Sequence, residues 1–132
     1  MKKTLLATEE VFQILERDIE KYIANNPDML VEGYCVEKIQ KTFKDGSRLD
    51  LLLHNSETGE RIVVEIKKDR VGRDAKQQIK RYMELCRGEL GYQEVRGIIV
   101  CPGILPYYED DMVKAKKENI TVKTFGWKLD FK

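Results

Sequence analysis

Two short apolar segments of this chain each carry an acidic residue, and the second also carries a lysine. Asp50 lies within residues 48–53, and Glu65 and Lys67 lie within residues 61–67. Acidic residues are poor strand formers, so their position inside apolar strands indicates a role other than packing. Carboxylates suit Mg²⁺ or Mn²⁺, which take further oxygens from water and phosphate, and an ammonium group can stabilise charge that develops on a phosphate. The pattern predicts metal-dependent chemistry at a phosphate.

The alternation of side chains along a strand predicts that these three groups share one face of a hairpin. The opposite face would pack through six aliphatic residues, Leu49, Leu51, Leu53, Ile62, Val64 and Ile66. The register that pairs Leu53 with Ile62 also brings the two acids opposite each other, with their Cβ atoms about 5 Å apart. Carboxylates this close repel each other, which favours a bound divalent cation or protonation of one acid. The alternative is a solvated sheet face whose charged groups share no function.

Further candidates come from the two helices predicted on either side of these strands. Gln78 and Tyr82 are four residues apart, so they lie on one helix face, from which they could hold the lysine or contact a phosphate. Alternatively, Tyr82 is a core aromatic residue. Glu16 lies at the edge of the apolar face of the first helix and could supply a third carboxylate. Glu20, one turn further on, is its rival, and either glutamate could instead be a solvated surface charge.

Basic residues are concentrated directly after the predicted metal site. Residues 67–81 contain seven basic residues and two acidic ones, although the whole chain has a net charge of only +1. A local excess of this kind predicts contact with a phosphate backbone. The candidate residues for contact with the phosphate backbone are Lys68, Arg70, Arg73, Lys80 and Arg81. The alternative is the solvated face of an ordinary amphipathic helix, which accounts for Lys76 and Lys80 better than for the loop arginines.

Hydrophobic periodicity predicts the elements that must position these residues. Five apolar residues of the first predicted helix, residues 9–25, recur at a spacing of three or four: Phe12, Leu15, Ile19, Tyr22 and Ile23. The predicted strands cover residues 34–43, 48–53, 61–67, 95–101 and 120–125, and two further helices cover residues 73–87 and 106–118. This order of elements predicts an α/β sandwich around a mixed sheet.

Composition excludes several classes of protein. The 132 residues suffice for one domain, and 42% hydrophobic with 36% charged residues is typical of a globular chain with a charged surface. No apolar run approaches the ~20 residues of a membrane span, and the first apolar stretch is too short for an export signal. The three cysteines form no zinc-binding pattern, so we expect free, buried thiols in a reducing cytoplasm.

The chain resembles the PD-(D/E)XK nuclease superfamily in an ordered set of motifs, Asp50, Glu65-Ile66-Lys67 and Gln78-x-x-x-Tyr82. Leu49 stands in place of the name-giving proline. Within the superfamily, the chain is similar to the catalytic domain of NucS-type endonucleases over residues 9–126. The segments that carry this similarity are Glu16-x-x-Ile19-Glu20-x-x-Ile23-x-x-Asn26-Pro27, Arg48-Leu49-Asp50-Leu51-Leu52, Val64-Glu65-Ile66-Lys67-Lys68, Gln78-Ile79-Lys80-Arg81-Tyr82 and Val95-Arg96-Gly97-Ile98-Ile99-Val100.

The resemblance implies one nuclease domain over residues 1–132 with a restriction-endonuclease-like fold, an αβββαβ core whose central mixed sheet is flanked by helices. It implies an endonuclease that hydrolyses DNA phosphodiesters with Mg²⁺ or Mn²⁺, in DNA repair, recombination or a mobile-element or viral context. The implied metal ligands are Asp50, Glu65 and the Ile66 carbonyl. The other implied active-site residues are Lys67, Glu16, Gln78 and Tyr82.

DNA is the implied partner, and duplex, mismatched, flapped, branched and single-stranded forms all remain candidate substrates. Cutting both strands of a duplex would need two copies, so we expect a homodimer or a partner protein that supplies specificity. The alternative function is a nuclease-fold DNA-binding subunit without turnover. The intact set of Asp50, Glu65 and Lys67 favours an enzyme over that alternative.

Overall fold

The computed structural model describes residues 8–126, with side chains from Glu16 onward, and contains a five-stranded sheet with helices on both faces. The helices are α1 (Thr8–Asn25), α2 (Arg73–Gly88) and α3 (Glu109–Lys114). The strands are β1 (Cys35–Thr42), β2 (Arg48–His54), β3 (Arg61–Ile66), β4 (Val95–Cys101) and β5 (Ile120–Thr124). Short 3-10 turns cover Pro27–Met29, Pro106–Tyr108 and Ala115–Glu118.

The strands lie side by side in chain order. β1, β2 and β3 form an antiparallel meander, whereas β3, β4 and β5 run parallel, with α2 as the crossover between β3 and β4. Leu53 pairs with Ile62, which is the predicted register of β2 against β3. The predicted order of elements and the mixed sheet are therefore confirmed.

Two apolar layers hold the sheet between its helices. On one face, α1 buries Ile23 against strand residues Leu51, Leu53, Ile62, Val64, Ile66, Ile98 and Val100. On the other face, α2 buries four residues at the spacing of a helix face, Ile79, Tyr82, Met83 and Cys86. Gly97 of β4 permits this close approach of α2, because a Cβ there would lie 2.8 Å from Cδ1 of Ile79.

Two predictions about burial are wrong. Leu49 packs on the α2 side of the sheet, whereas Leu51 and Leu53 pack on the α1 side. The pairing of β2 with β3 ends at Leu51, so β3 does not fix the face of the sheet on which the Leu49 side chain lies. Cys35 is exposed because it lies on the edge strand β1, whereas the other two cysteines are buried, and all three thiols are free.

The remaining differences from the sequence prediction are local. The helix predicted over residues 106–118 is a short α-helix between two 3-10 turns, and Asn119 ends the segment in the left-handed region with a φ of 63°. The side chains of Phe12 and Leu15, which the periodicity places on the apolar face of α1, lie outside the described side chains. No helix within residues 8–126 combines the length and the hydropathy needed to cross a bilayer.

Candidate active site

Asp50 and Glu65 meet where β2 and β3 separate. The backbone N–H of Asp50 donates to Oε1 of Glu65 at 3.0 Å, and the backbone N–H of Ile66 donates to Oδ2 of Asp50 at 2.8 Å. Each carboxylate thus accepts a main-chain donor from the neighbouring strand, beyond the last paired residues, Leu51 and Val64. The exchange brings the two acids together at one edge of the β2–β3 ladder.

Burial controls the charge of Glu65, whose side chain is only 3% exposed. Burial and then the neighbouring Asp50 carboxylate raise the pKa of Glu65 from 4.5 to about 8. Without a cation, Glu65 is therefore mostly protonated at neutral pH. A cation placed between the two side chains would favour the form in which both are ionised.

A chain of hydrogen bonds leads from Lys67 into α2. Nζ of Lys67 donates to Oε1 of Gln78, and Nε2 of Gln78 donates to the Tyr82 hydroxyl at 3.2 Å. Tyr82 is also a core residue, because its ring stacks on Phe43 with the centroids 6.1 Å apart. Burial raises the pKa of Tyr82 most, followed by the carboxylates of Glu65 and Asp50. This helix face therefore does both things that the sequence allowed: Gln78 holds the lysine, and Tyr82 packs in the core.

The two candidate glutamates of α1 have different surroundings. Glu16 lines the same two clefts as Asp50. Burial and then the Asp50 carboxylate raise the pKa of Glu16, against the lowering effect of Lys67. Glu20 is held by β1 instead: Nε2 of Gln40 donates to its Oε1 and Oε2 at 3.0 and 2.9 Å. The sequence offered Glu16 and Glu20 as alternatives for the third carboxylate, and the fold gives them different surroundings.

Two open clefts of about 770 and 720 Å³ share Asp50 in their walls. Both are also lined by Glu16, Arg48 and Lys68. The first continues along the β3–α2 loop and is walled by residues that include Arg70, Arg73, Gln78, Tyr82 and Tyr108. The second continues along α1 and is lined further by Arg17, Glu20, Lys21 and Gln40. Together they form a groove that passes the acidic pair.

Ion pairing separates the basic residues that line the groove from those elsewhere. Besides Lys67, six cations line the groove, Arg17, Lys21, Arg48, Lys68, Arg70 and Arg73. Among the described side chains, no ion pair involves any of these six. Lys80 pairs with Glu118 and Arg81 pairs with Asp45, and neither lines the groove. The sequence prediction missed three of the six, Arg17, Lys21 and Arg48, because they lie outside the basic cluster of residues 67–81.

The oxygens at the acidic pair suit a small divalent cation. Residues of a strand direct their N–H and C=O groups to the same side, so the Ile66 carbonyl faces the side on which its N–H donates to Asp50. No group of three or more His, Cys, Asp or Glu side chains in the described part of the chain is placed to hold a metal. Two carboxylates, one carbonyl and water match the preference of Mg²⁺, which keeps several waters.

Comparison with known proteins gives concordant matches. Residues 15–130 match the model of the endonuclease NucS C-terminal domain. The chain is 28% identical to Endonuclease NucS of Methanocaldococcus jannaschii over 89% of this chain and 44% of that protein. It is 30% identical to Endonuclease NucS of Methanopyrus kandleri over 78% of this chain and 39% of that protein.

A solved structure, that of an EndoMS-dsDNA2 complex, matches with a TM-score of 0.68 and 26% identity, over 95% of this chain and 48% of that one. The match confirms the predicted restriction-endonuclease-like fold, with its mixed sheet flanked by helices. The chain spans less than half the length of each of these relatives.

Proposed function

Because this chain belongs to the endonuclease NucS C-terminal domain family, we propose that it is a metal-dependent endonuclease that hydrolyses DNA phosphodiesters. The observation that carries the proposal is a pair of hydrogen bonds next to Lys67. The N–H of Asp50 donates to the Glu65 carboxylate, and the N–H of Ile66 donates to the Asp50 carboxylate. DNA repair or recombination is the setting that we propose for this activity. A cytoplasmic location fits the proposal, because all three cysteines are free thiols.

Asp50, Glu65 and the Ile66 carbonyl would hold Mg²⁺ or Mn²⁺. When bound, the ion would lower the pKa of a water ligand and offset the charge of the scissile phosphate. Glu16 is our candidate for the further acid, since it lines both parts of the groove together with Asp50. Because the described acids form no group of three around one point, we assign Glu16 to orienting water rather than to the metal.

Lys67 would stabilise the negative charge that develops on the phosphate. The Gln78 carbonyl accepts a hydrogen bond from its ammonium group and so restricts where that group can lie. Because the Gln78 side chain is neutral, it orients the lysine without neutralising it. Tyr82 in turn accepts a hydrogen bond from the Gln78 amide and fixes the orientation of that amide.

DNA phosphates would bind along the groove on both sides of the acidic pair. Its six unpaired cations have no internal counter-ion among the described residues, so they are free to neutralise phosphates. We therefore assign the phosphate contacts to Lys68, Arg70 and Arg73, as the sequence predicts, and add Arg17, Lys21 and Arg48. Lys80 and Arg81, which already have acidic partners, would contribute less.

The test is cleavage of plain duplex, mismatched, flapped, branched and single-stranded DNA by the wild-type chain with Mg²⁺ or Mn²⁺. We expect at least one form to be cut, and we expect Glu65→Gln to abolish cleavage while the protein stays folded. Glutamine matches the neutral form that Glu65 adopts when its pKa is about 8. Glu65→Ala serves as a second inactive control.

A wild-type chain that cuts none of these DNA forms with either metal would contradict the proposal. Tight, salt-sensitive DNA binding without any cleaved product would instead support the alternative, a nuclease-fold binding subunit. Sedimentation of the chain with and without DNA would test the expected homodimer.

A further inference from the structure

Gln40 has a backbone conformation that is unusual for a strand residue. Its φ is 54°, in the left-handed region, although its neighbours Ile39 and Lys41 remain paired with Leu51 and Leu49 of β2. A residue with a side chain rarely adopts this region, because its Cβ crowds the backbone. Such outliers persist where surrounding contacts hold them, and they concentrate at functional sites.

The contacts that hold Gln40 come from acidic residues of the proposed site. Its Nε2 donates to both carboxylate oxygens of Glu20 at 3.0 and 2.9 Å, and it lies 3.5 Å from Oδ1 of Asp50. All three side chains are half-buried. One amide group thus bridges α1, through Glu20, and β2, through Asp50.

The bridge completes the set of donors around Asp50. Oδ2 accepts the N–H of Ile66 at 2.8 Å, and Oδ1 has the Gln40 amide as its donor. With one donor on each oxygen, the plane of the carboxylate is restricted, yet each oxygen keeps a second lone pair for another ligand. Residues that orient a metal-binding carboxylate in this way support metal affinity without touching the metal.

We infer that Gln40 is a positioning residue, which orients the Asp50 carboxylate toward the cation and is itself anchored by Glu20. The inference rests on the proposed function, since it presumes a cation at Asp50 and Glu65. It also gives Glu20 a role that differs from that of Glu16. Glu20 anchors the amide, and Glu16 lines the groove beside Asp50.

The test is Gln40→Gly, with Mn²⁺ binding measured by calorimetry in the absence of DNA. Glycine adopts the left-handed region freely, so this variant removes the amide and the backbone strain together. We expect the dissociation constant for Mn²⁺ to rise about 10- to 100-fold while the melting temperature stays equal or increases. A merely structural role for the side chain predicts the reverse, a lower melting temperature and unchanged Mn²⁺ binding.

Glu20→Ala should weaken Mn²⁺ binding less than Gln40→Gly, and the double variant should lose little more than Gln40→Gly alone, because the two side chains act as a unit. Gln93→Gly, at an exposed glutamine of the loop before β4, is the matched control and should bind Mn²⁺ like the wild type.

Unchanged Mn²⁺ affinity in Gln40→Gly, in a background where the wild type binds Mn²⁺ and cleaves DNA, would overturn this inference alone. A wild-type chain that neither binds Mn²⁺ nor cleaves DNA would overturn the proposed function and this inference with it.

Discussion

The carboxylates of Asp50 and Glu65 accept main-chain N–H groups at the point where the β2–β3 ladder ends. The acids therefore satisfy backbone donors that would otherwise be left without a partner. This explains how two residues of low strand propensity can lie inside apolar strands. Burial and then the closeness of the Asp50 carboxylate raise the pKa of Glu65, which makes the proposed cation site sensitive to pH.

We expect Mn²⁺ affinity to rise about tenfold per pH unit up to pH 8 and then to level off. Below its pKa of about 8, Glu65 must release a proton before it can hold the ion. Calorimetry between pH 6 and 9 in buffers of different ionisation enthalpy would measure both the affinity and the proton released. An affinity that does not change with pH would contradict this prediction.

The same shift predicts how the stability of the metal-free protein depends on pH. The folded-state pKa of Glu65 lies above its unfolded value of 4.5, so the folded state binds this proton more tightly. The associated stability is present in full below pH 4.5 and is lost as the pH rises toward 8. Thermal unfolding of the wild type and of Glu65→Gln should show that this loss is absent in the variant.

Lys67→Ala should lower the rate of DNA cleavage about 100- to 1,000-fold, because the ammonium would stabilise charge that develops only in the transition state. Mn²⁺ affinity should not fall, since the lysine is not a ligand. Single-turnover cleavage and calorimetry would measure the two effects. Lys80→Ala, which removes an exposed lysine paired with Glu118, is the control. A rate reduced less than tenfold would contradict the role of Lys67.

The helix α2 positions Gln78 and Tyr82 through its packing on β4. The helix face was predictable, because Ile79, Met83 and Cys86 repeat at helical spacing. The distance between helix and sheet was not predictable, since it depends on the missing side chain of Gly97, which is distant from the helix in sequence. A local pattern indicates which face packs, whereas the tertiary structure shows how closely it packs.

Gly97→Ala should lower the free energy of unfolding by about 1–3 kcal/mol, because the new Cβ would meet Cδ1 of Ile79 at 2.8 Å and Sδ of Met83 at 3.0 Å. Gly88→Ala is the matched control, since a Cβ there meets nothing within 4 Å. Denaturant unfolding of both variants would measure the difference. Equal stability of the two proteins would contradict the close packing of α2 on β4.

The groove of the whole molecule combines basic residues from α1, β2 and the β3–α2 loop, which lie far apart in the chain. The chain is almost neutral overall, with a net charge of +1. Its capacity to attract a polyanion therefore depends on which cations lack internal partners rather than on their number. The paired cations Lys80 and Arg81 and the unpaired cations Arg70 and Arg73 offer a direct comparison within the described residues.

Arg70→Ala with Arg73→Ala should weaken DNA binding and reduce the slope of log affinity against log salt by about one for each phosphate that these arginines neutralise. Lys80→Ala with Arg81→Ala should change the slope less. Binding would be measured over a range of salt concentrations in a Glu65→Gln background, so that no DNA is cut. A larger effect of the second pair would contradict the proposed groove.

The register of β2 against β3 could be read from the residue pattern, because strand alternation is a local rule that pairs Leu53 with Ile62. The periodicity within each segment likewise predicted the order of the elements. Leu49 departed from strand alternation where the pairing with β3 ended.

The tertiary structure was needed for everything that joins distant segments. The packing of α1 and the edge pairing of β1 bring Gln40 between Glu20 and Asp50, separate Glu20 from Glu16, and add Arg17 and Lys21 to the groove. No spacing rule encodes these relations, because each depends on how two elements pack rather than on the periodicity within one.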